Sequence, residues 1–414
     1  MFVEMYVQFK VLNSTTKYKQ MMKISVTITI TTIILSLIIV SCKRQTLPAD
    51  FYGVKVDSFQ KSYGTSGGNE IINSIIQSSD GNYSFTGTTT YLTNGGMDVY
   101  VGQTDQNGEL LWSLAIGGAS TDGGCDIIET PDHNLLITGY SRSYNAQNFY
   151  EVFLLKIDFQ GNILWQKTIS DGSSALKIIP ANTNDGYLIT GGAAGLFSAI
   201  GRFVYIAKIS YDGNLIWSNK YSNGNDEIGK SLCYDNAGNI MVVGSPATEY
   251  IDNDIYLLKF NPNGDSIWTK SFVGNGYEVA GNILPAGNNF IMNTSSGMMT
   301  NPLGILNLSN IDTSGKIIAQ KSFQSNYSFA GYWAIKSMDN NLLVTGAQSD
   351  STGISKAYLM KTDYSGNTIW SKKFTDSATL VANKVLETND SYLLAGYKQF
   401  NTGSMNALII KVKK

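Results

Sequence analysis

One aromatic position recurs through this chain at an almost constant interval. Trp112, Trp165, Trp217, Trp268 and Trp370 share one lead-in: an apolar run, an Asp or a substitute for it, a Gly, two or three residues, then the indole. Phe59 and Ala319 occupy the same column where Trp is absent, so it runs 59, 112, 165, 217, 268, 319, 370, with steps of 51 to 53 residues. A fixed period of this size marks supersecondary units that cannot bury their apolar faces alone and must stack on one another. A chain of 414 residues could hold roughly two or three independent domains. The period argues instead for one closed array.

A single repeat reads as four short strands. Between Cys125 and Thr168 the chain runs CDIIET, then LLITG, then VFLLKID, then ILWQKT, with turn residues between the runs. The second strand ends on a Gly at 87, 139, 191, 244, 346 and 396, and repeat five breaks this column with Thr294. The turn before the Trp strand keeps its own Gly at 108, 161, 213, 264, 315 and 366, where a tight hairpin asks for positive φ. Seven four-stranded units predict an all-β fold, a seven-bladed β-propeller. The last repeat stops after its third strand, while Phe59-Gln60-Lys61-Ser62-Tyr63 is a fourth strand without a repeat of its own. Residues 59–63 are therefore expected to pair with 406–413 and close the ring, which removes an open sheet edge. A closed ring is expected to be monomeric.

The aromatic column is expected to be structural. One large ring per blade, at Phe59, Trp112, Trp165, Trp217, Trp268 and Trp370, fills the wedge against the neighbouring blade. Ala319 marks the weakest wedge.

The run Lys156-Ile157-Asp158, Gly161-Asn162, Trp165 resembles the tryptophan-docking repeats of quinoprotein-like propellers, which include the pyrroloquinoline-quinone (PQQ) dehydrogenases and the propeller lipoprotein of the outer-membrane assembly complex. At the level of the repeat the resemblance covers nearly all of residues 59–414. It is similar in the same way to propeller lipoproteins of Bacteroidota. The Asp-to-Gly spacing is three residues here, as from Asp158 to Gly161, where the quinoprotein repeat has four, and no neighbouring Cys pair accompanies it. No cofactor residue is carried over. The expectation is no cofactor, with calcium or PQQ as the alternatives.

Charge and scarce residue types exclude several chemistries. The net charge is -2; residues 1–41 carry Lys10, Lys17, Lys19 and Lys23 against Glu4, so the rest of the chain stands at -5. That is no footprint for nucleic acid. Cys125 and Cys233 start different repeats and read as buried thiols rather than a disulfide. The one His, His133, sits in the turn Pro131-Asp132-His133-Asn134. No metal site is expected, and a hydrolase triad could use only that imidazole.

The N-terminus reads as an address. Residues 24–40 are uncharged and mostly apolar or Thr/Ser, with Lys23 before them and Ser41-Cys42-Lys43-Arg44 after. This is the layout of a signal peptide. Leu37-Ile38-Ile39-Val40-Ser41-Cys42 resembles a bacterial lipobox, which implies cleavage between Ser41 and Cys42 and lipid on Cys42. The expected organisation is a signal peptide over 1–41 (with translation starting at Met21 or Met22), a lipidated tether over 42–58 and the propeller over 59–414. The expected location is the bacterial cell envelope, anchored to the outer membrane.

Glycine, amide and acidic residues gather between the Trp strand and the next repeat. Glu70, Asp122, Asp226 and Glu278 could ring one mouth of the channel and bind a cation or sugar; ordinary turn chemistry, repeated with the blade, is the competing account. The loop YSRSYNAQNFY over 140–150 is rich in Tyr and Asn, and 193–203 is mixed. Two functions follow: a non-enzymatic scaffold presenting loops to a protein or glycan, or an enzyme using the channel. Two buried acids roughly 5–10 Å apart at the mouth would favour the second.

Overall fold

The computed structural model describes residues 57–414 apart from 65–66, 92, 94, 194–202, 223–225, 247–253, 273–276, 299–300 and 325–327. The signal peptide, the lipobox and most of the 193–203 loop lie outside the described residues. The structure is a seven-bladed propeller, each blade a four-stranded antiparallel sheet. From the axis outward, blade one runs Glu70–Gln77, Tyr83–Thr89, Asp98–Thr104 and Leu110–Ile116. The ring closes as the sequence predicts: Phe59–Tyr63 is the outer strand of blade seven and pairs antiparallel with Met405–Lys413, Phe59 opposite Lys411 and Tyr63 opposite Ala407.

The middle strands carry most of the buried surface. YSFTGTT, DVYVGQT, EVFLLKI and YLITGGA are buried at every position. A sheet packed on both sides loses the alternation of a half-solvated one. The core accordingly lies between blades. Leu136, Val152 and Leu154 of blade two pack with Ile178, Ile189 and Tyr205 of blade three. Ile72 and Phe85 of blade one pack with Leu393, Ala407 and Ile409 of blade seven, so the closing seam is apolar like the others.

Each inner strand carries a β-bulge at the same place, for instance between Gly124 and Asp126 in blade two and between Ala382 and Lys384 in blade seven. A bulge sets two residues against one and bends the strand. The residue just before the bulge faces the second-strand column: Gly139 opposite Gly124, Gly396 opposite Ala382, Thr294 opposite Ala280. Those glycines leave room for the bent strand to approach.

The Trp column docks onto the next blade. A Cβ on Gly161 of blade two would lie 3.1 Å from the Trp112 ring, and one on Gly315 would lie 2.5 Å from Trp268. These turn glycines also have positive φ, +82° and +80°, so two requirements meet at one residue. Trp112 Nε1 donates to the Phe159 carbonyl of the same turn at 2.9 Å. Lys167 crosses its own Trp165 ring and donates to the Asp212 carbonyl and Asn214 Oδ1 of blade three. The wedge is thus a Trp-x-Lys clamp on the neighbour's turn. In blade five Ala319 cannot clamp, the side chain of Lys321 covers Gly366 instead, and the outer strand Ile317–Gln324 is largely exposed.

On the back of the same strands Leu164, Ile216, Ile267, Ile318 and Ile369 are about half exposed. This contrast is testable. Trp268→Ala is expected to cost about 2 kcal/mol, since it strips a partly buried ring from the turn of blade six's predecessor. Its neighbour Ile267→Ala is expected to stay within about 0.5 kcal/mol. Urea midpoints of the two variants would decide; equal losses would mean the column does not clamp.

Candidate functional site

The two faces of the ring differ in kind. Turns joining third to fourth strands all span five residues, at 105–109, 158–162, 210–214, 261–265, 312–316 and 363–367. In five of these six turns the first side chain accepts from two backbone amides, as Asp158 Oδ1 does from Gln160 and Asn162, and Ser210 accepts from Asn214 N alone. On the same face, third-strand lysines pin the turn between first and second strands: Lys156 to Asp132, Lys208 to Asp185, Lys259 to Asp235, Lys361 to Asp339. The opposite face carries the connections between blades and the loops between second and third strands, which differ in length and sequence.

The four acids expected at the channel mouth have different surroundings. Asp122 is fully buried, accepting from Ser141 Oγ, from Ser143 Oγ at 2.6 Å and from Gly118 N at 2.9 Å. Glu70 is buried beside Thr89, which donates to it at 3.3 Å. Glu278 is half-buried opposite Ser296. Asp226 is exposed and precedes the strand, while its neighbour Glu227 begins the strand and is buried. Strand parity decides this, because adjacent residues face opposite ways. Asp122 does meet a second acid that the sequence did not flag. A Cβ on Gly117 would press on both Asp122 and Asp98, the latter 1% exposed. The pair is buried in the seam between blades one and two.

His133 forms no triad. Its side chain is 72% exposed, and Nδ1 meets both Glu129 Oε1 at 2.8 Å and Ser79 Oγ at 3.2 Å. A triad needs the acid on one ring nitrogen and the nucleophile on the other. Here the Ser79 hydroxyl donates to Glu129 itself. Cys125 and Cys233 are free thiols; Cys233 is buried, while Cys125 is half-buried rather than fully buried. Burial, aided by the Asp126 carboxylate, pushes the Cys125 thiol up to about 12, with Lys230 pulling the other way.

The channel itself holds a constellation that the repeat concealed. The residue after each bulge is Ser74, Asp126, Lys177, Ser231, Asn282, Trp333 and Lys384 in blades one to seven, and Ser74, Asp126, Lys177, Trp333 and Lys384 come together. Asp126 Oδ1 accepts from Ser74 Oγ at 2.6 Å and from Lys384 Nζ at 3.1 Å. Oδ2 accepts from Lys177 Nζ at 2.5 Å and Ile178 N at 3.3 Å. Lys384 therefore reaches past blade one to blade two. Its Nζ lies 3.5 Å from the centre of the Trp333 ring, and Lys177 Nζ lies 5.5 Å from it. Of the six Trp of the chain, Trp333 is the only one outside the docking column. Burial alone would raise the Asp126 carboxyl; the two ammoniums and the bonds from Lys177 and Ser74 hold it well below the usual carboxylate range. Burial lowers Lys384 to about 8, Asp126 pulling it back up and Lys177 pushing it further down. Backbone stitches complete the ring: Asn73 and Asn383 donate to the Gly124 and Ile72 carbonyls, and Asn282 bonds both Ala334 N and O.

On the variable face the 140–150 loop is built rather than slack. Arg142 Nε donates to the Asn148 carbonyl at 3.0 Å and its guanidinium covers Tyr150. Asn145 accepts from Gln147 N and donates to Glu151. Ser120 of the blade-one connection bonds Asn148 Oδ1 at 2.8 Å. This frame leaves Phe149 61% and Tyr144 42% exposed.

No protein-family model and no curated protein matches the chain. Solved structures do resemble it. A protein of unknown function from Dyadobacter fermentans is similar at 12% identity with a TM-score of 0.50, over 87% of this chain and 99% of that one. A putative 6-phosphogluconolactonase from Bacteroides uniformis gives 11% identity and a TM-score of 0.47, over 80% and 96%. Another, from Bacteroides fragilis, gives 11% and 0.46, over 88% and 98%. At such identities the likeness concerns the fold alone.

Proposed function

We propose that this chain is a lipid-anchored propeller of the bacterial cell envelope that acts as a non-enzymatic binding module, taking a protein or glycan partner on its variable face. The carrying observation is the 140–150 loop: exposed Phe149 and Tyr144 stand on a frame of hydrogen bonds and a cation–π contact. Rigid aromatic anchors bring contact area without much ordering cost on binding. The anchor reading rests on Leu37–Cys42 and its likeness to a lipobox. The competing reading, a channel enzyme using quinone or paired acids on a polysaccharide, lacks support from the described residues: Asp122 and Asp98 are sealed in a seam, and His133 carries acid and hydroxyl on one nitrogen.

Two measurements test the proposal. Native protein captured from envelope extracts, with its partners identified, is compared with a Tyr144→Ala, Phe149→Ala double variant of equal melting temperature. A partner or glycan held by the first and lost by the second is the expected result; identical capture would overturn the loop assignment. Cys42→Ala is expected to leave the membrane fraction. Retention there would remove lipidation at Cys42 from the account.

A further inference from the structure

The channel cluster is unbalanced. Asp126, 2% exposed, has both oxygens saturated and cannot neutralise more than one charge. Two ammoniums stand against it, on Lys177 and Lys384, 16% and 12% exposed. An ammonium has three N–H donors, yet among the described residues each of these lysines spends one on Asp126 and otherwise meets only the Trp333 π face. The locality therefore carries one excess positive charge and spare donors, in a place where water screens little. Uncompensated buried charge is costly. The other titratable groups near it are Cys125, its thiol held neutral by burial, and Lys230, which adds positive field.

We propose that the channel binds a small carboxylate anion between Lys177 and Lys384, against the indole of Trp333. The carboxylate would take the spare N–H donors of both lysines and cancel the excess charge, leaving the Asp126 bonds in place. Charge-assisted bonds of this kind are the strong ones. The site is separate from the loop face, so its success or failure is independent of the binding role proposed there.

Binding and protonation of Lys384 are linked. Burial lowers that amine to about 8. A carboxylate within hydrogen-bond reach should raise it by about one unit, so affinity should fall about tenfold between pH 7 and pH 10. The experiment follows the lysine side-chain NMR signals of the full chain during titration with acetate, with Lys384 assigned from its loss in Lys384→Met. Inorganic phosphate and chloride at matched ionic strength serve as second probes. The expected result is a saturable shift of the Lys384 signal with acetate, a raised midpoint, and no matching event in Lys384→Met, while the exposed-lysine control Lys372→Met titrates as the parent does. A response to phosphate or chloride equal to that with acetate would overturn the carboxylate assignment. No saturable shift at Lys384, or the same heat of acetate binding in calorimetry of Lys384→Met, would overturn the site.

Discussion

Asp126→Ala is expected to destabilise the propeller by on the order of 3–5 kcal/mol, the usual result of removing one partner from a buried ionic network. The reason is geometric. Among the described residues Asp126 is the one acceptor shared by Lys177 and Lys384, and it also takes Ser74 Oγ and Ile178 N, so four bonds to three neighbouring strands are lost at once. Lys384→Met should behave in the opposite way, neutral or stabilising. It leaves a balanced Asp126–Lys177 pair, keeps apolar cover on Trp333, and removes a charge that the fold disfavours. The pH profile separates the two effects. Asp126 titrates below its unfolded value, so its contribution is present above the ordinary carboxylate range and is lost as pH falls through it. Lys384 also titrates below its unfolded value of 10.5, at about 8. Between those pH values the unfolded chain holds a proton that the folded chain has released, so stability should climb with pH across that window by on the order of 3 kcal/mol. Below pH 8 that cost is constant. Urea midpoints from about pH 2 to about pH 10.5 test both signs. A parent profile flat between 8 and 10.5, or a rise retained in Lys384→Met, would show that Lys384 is not the group responsible.

The repeat made the fold legible, and it hid the channel for the same reason. Trp165, Gly213 and the Phe59–Tyr63 strand could be read from the chain because each makes the same contact in blade after blade, and identical contacts select identical residues. The ring after the bulge obeys no such rule. Five of its seven members, Ser74, Asp126, Lys177, Trp333 and Lys384, meet one another rather than a copy of themselves, and the position reads Ser, Asp, Lys, Ser, Asn, Trp, Lys and never forms a column. Trp333 was the available signal: an indole out of register with five others. The acids failed differently. Asp226 and Glu227 are adjacent, and only the register of the strand, Glu227 opposite Pro246, says which one is buried. Asp98 and Asp122 meet through a seam between blades, a relation that no spacing within one repeat encodes.

Gly139→Ala and Gly244→Ala occupy one column and should nevertheless part company. Gly139 lies opposite Gly124, where the bulge pushes the inner strand toward it, and an added Cβ would fall inside the van der Waals sphere of the Gly123 carbonyl oxygen. That atom belongs to backbone and cannot rotate away. Relief requires the bulge to shift, and the bulge sets Asp126 in the channel. The expected cost is about 3 kcal/mol or more, the upper end for overpacking a closely fitted site, and the Lys384 signal should move with it. Gly244 faces Gly229 across the same kind of bulge, but a Cβ there would stand 3.4 Å from the Ile228 carbonyl oxygen, with the Val204 methyl at 3.1 Å as its nearest neighbour. A methyl group can give by a few tenths of an ångström, so Gly244→Ala is expected to cost less than about 1 kcal/mol. Neither glycine has positive φ, so the comparison isolates space from backbone strain. Blade five already carries a side chain in this column, Thr294 opposite Ala280, so the column demands room and not glycine as such. Equal melting temperatures for the two variants would sink this account of the bulge; a large loss confined to Gly139→Ala would tie the second-strand glycines directly to the geometry of the channel ring.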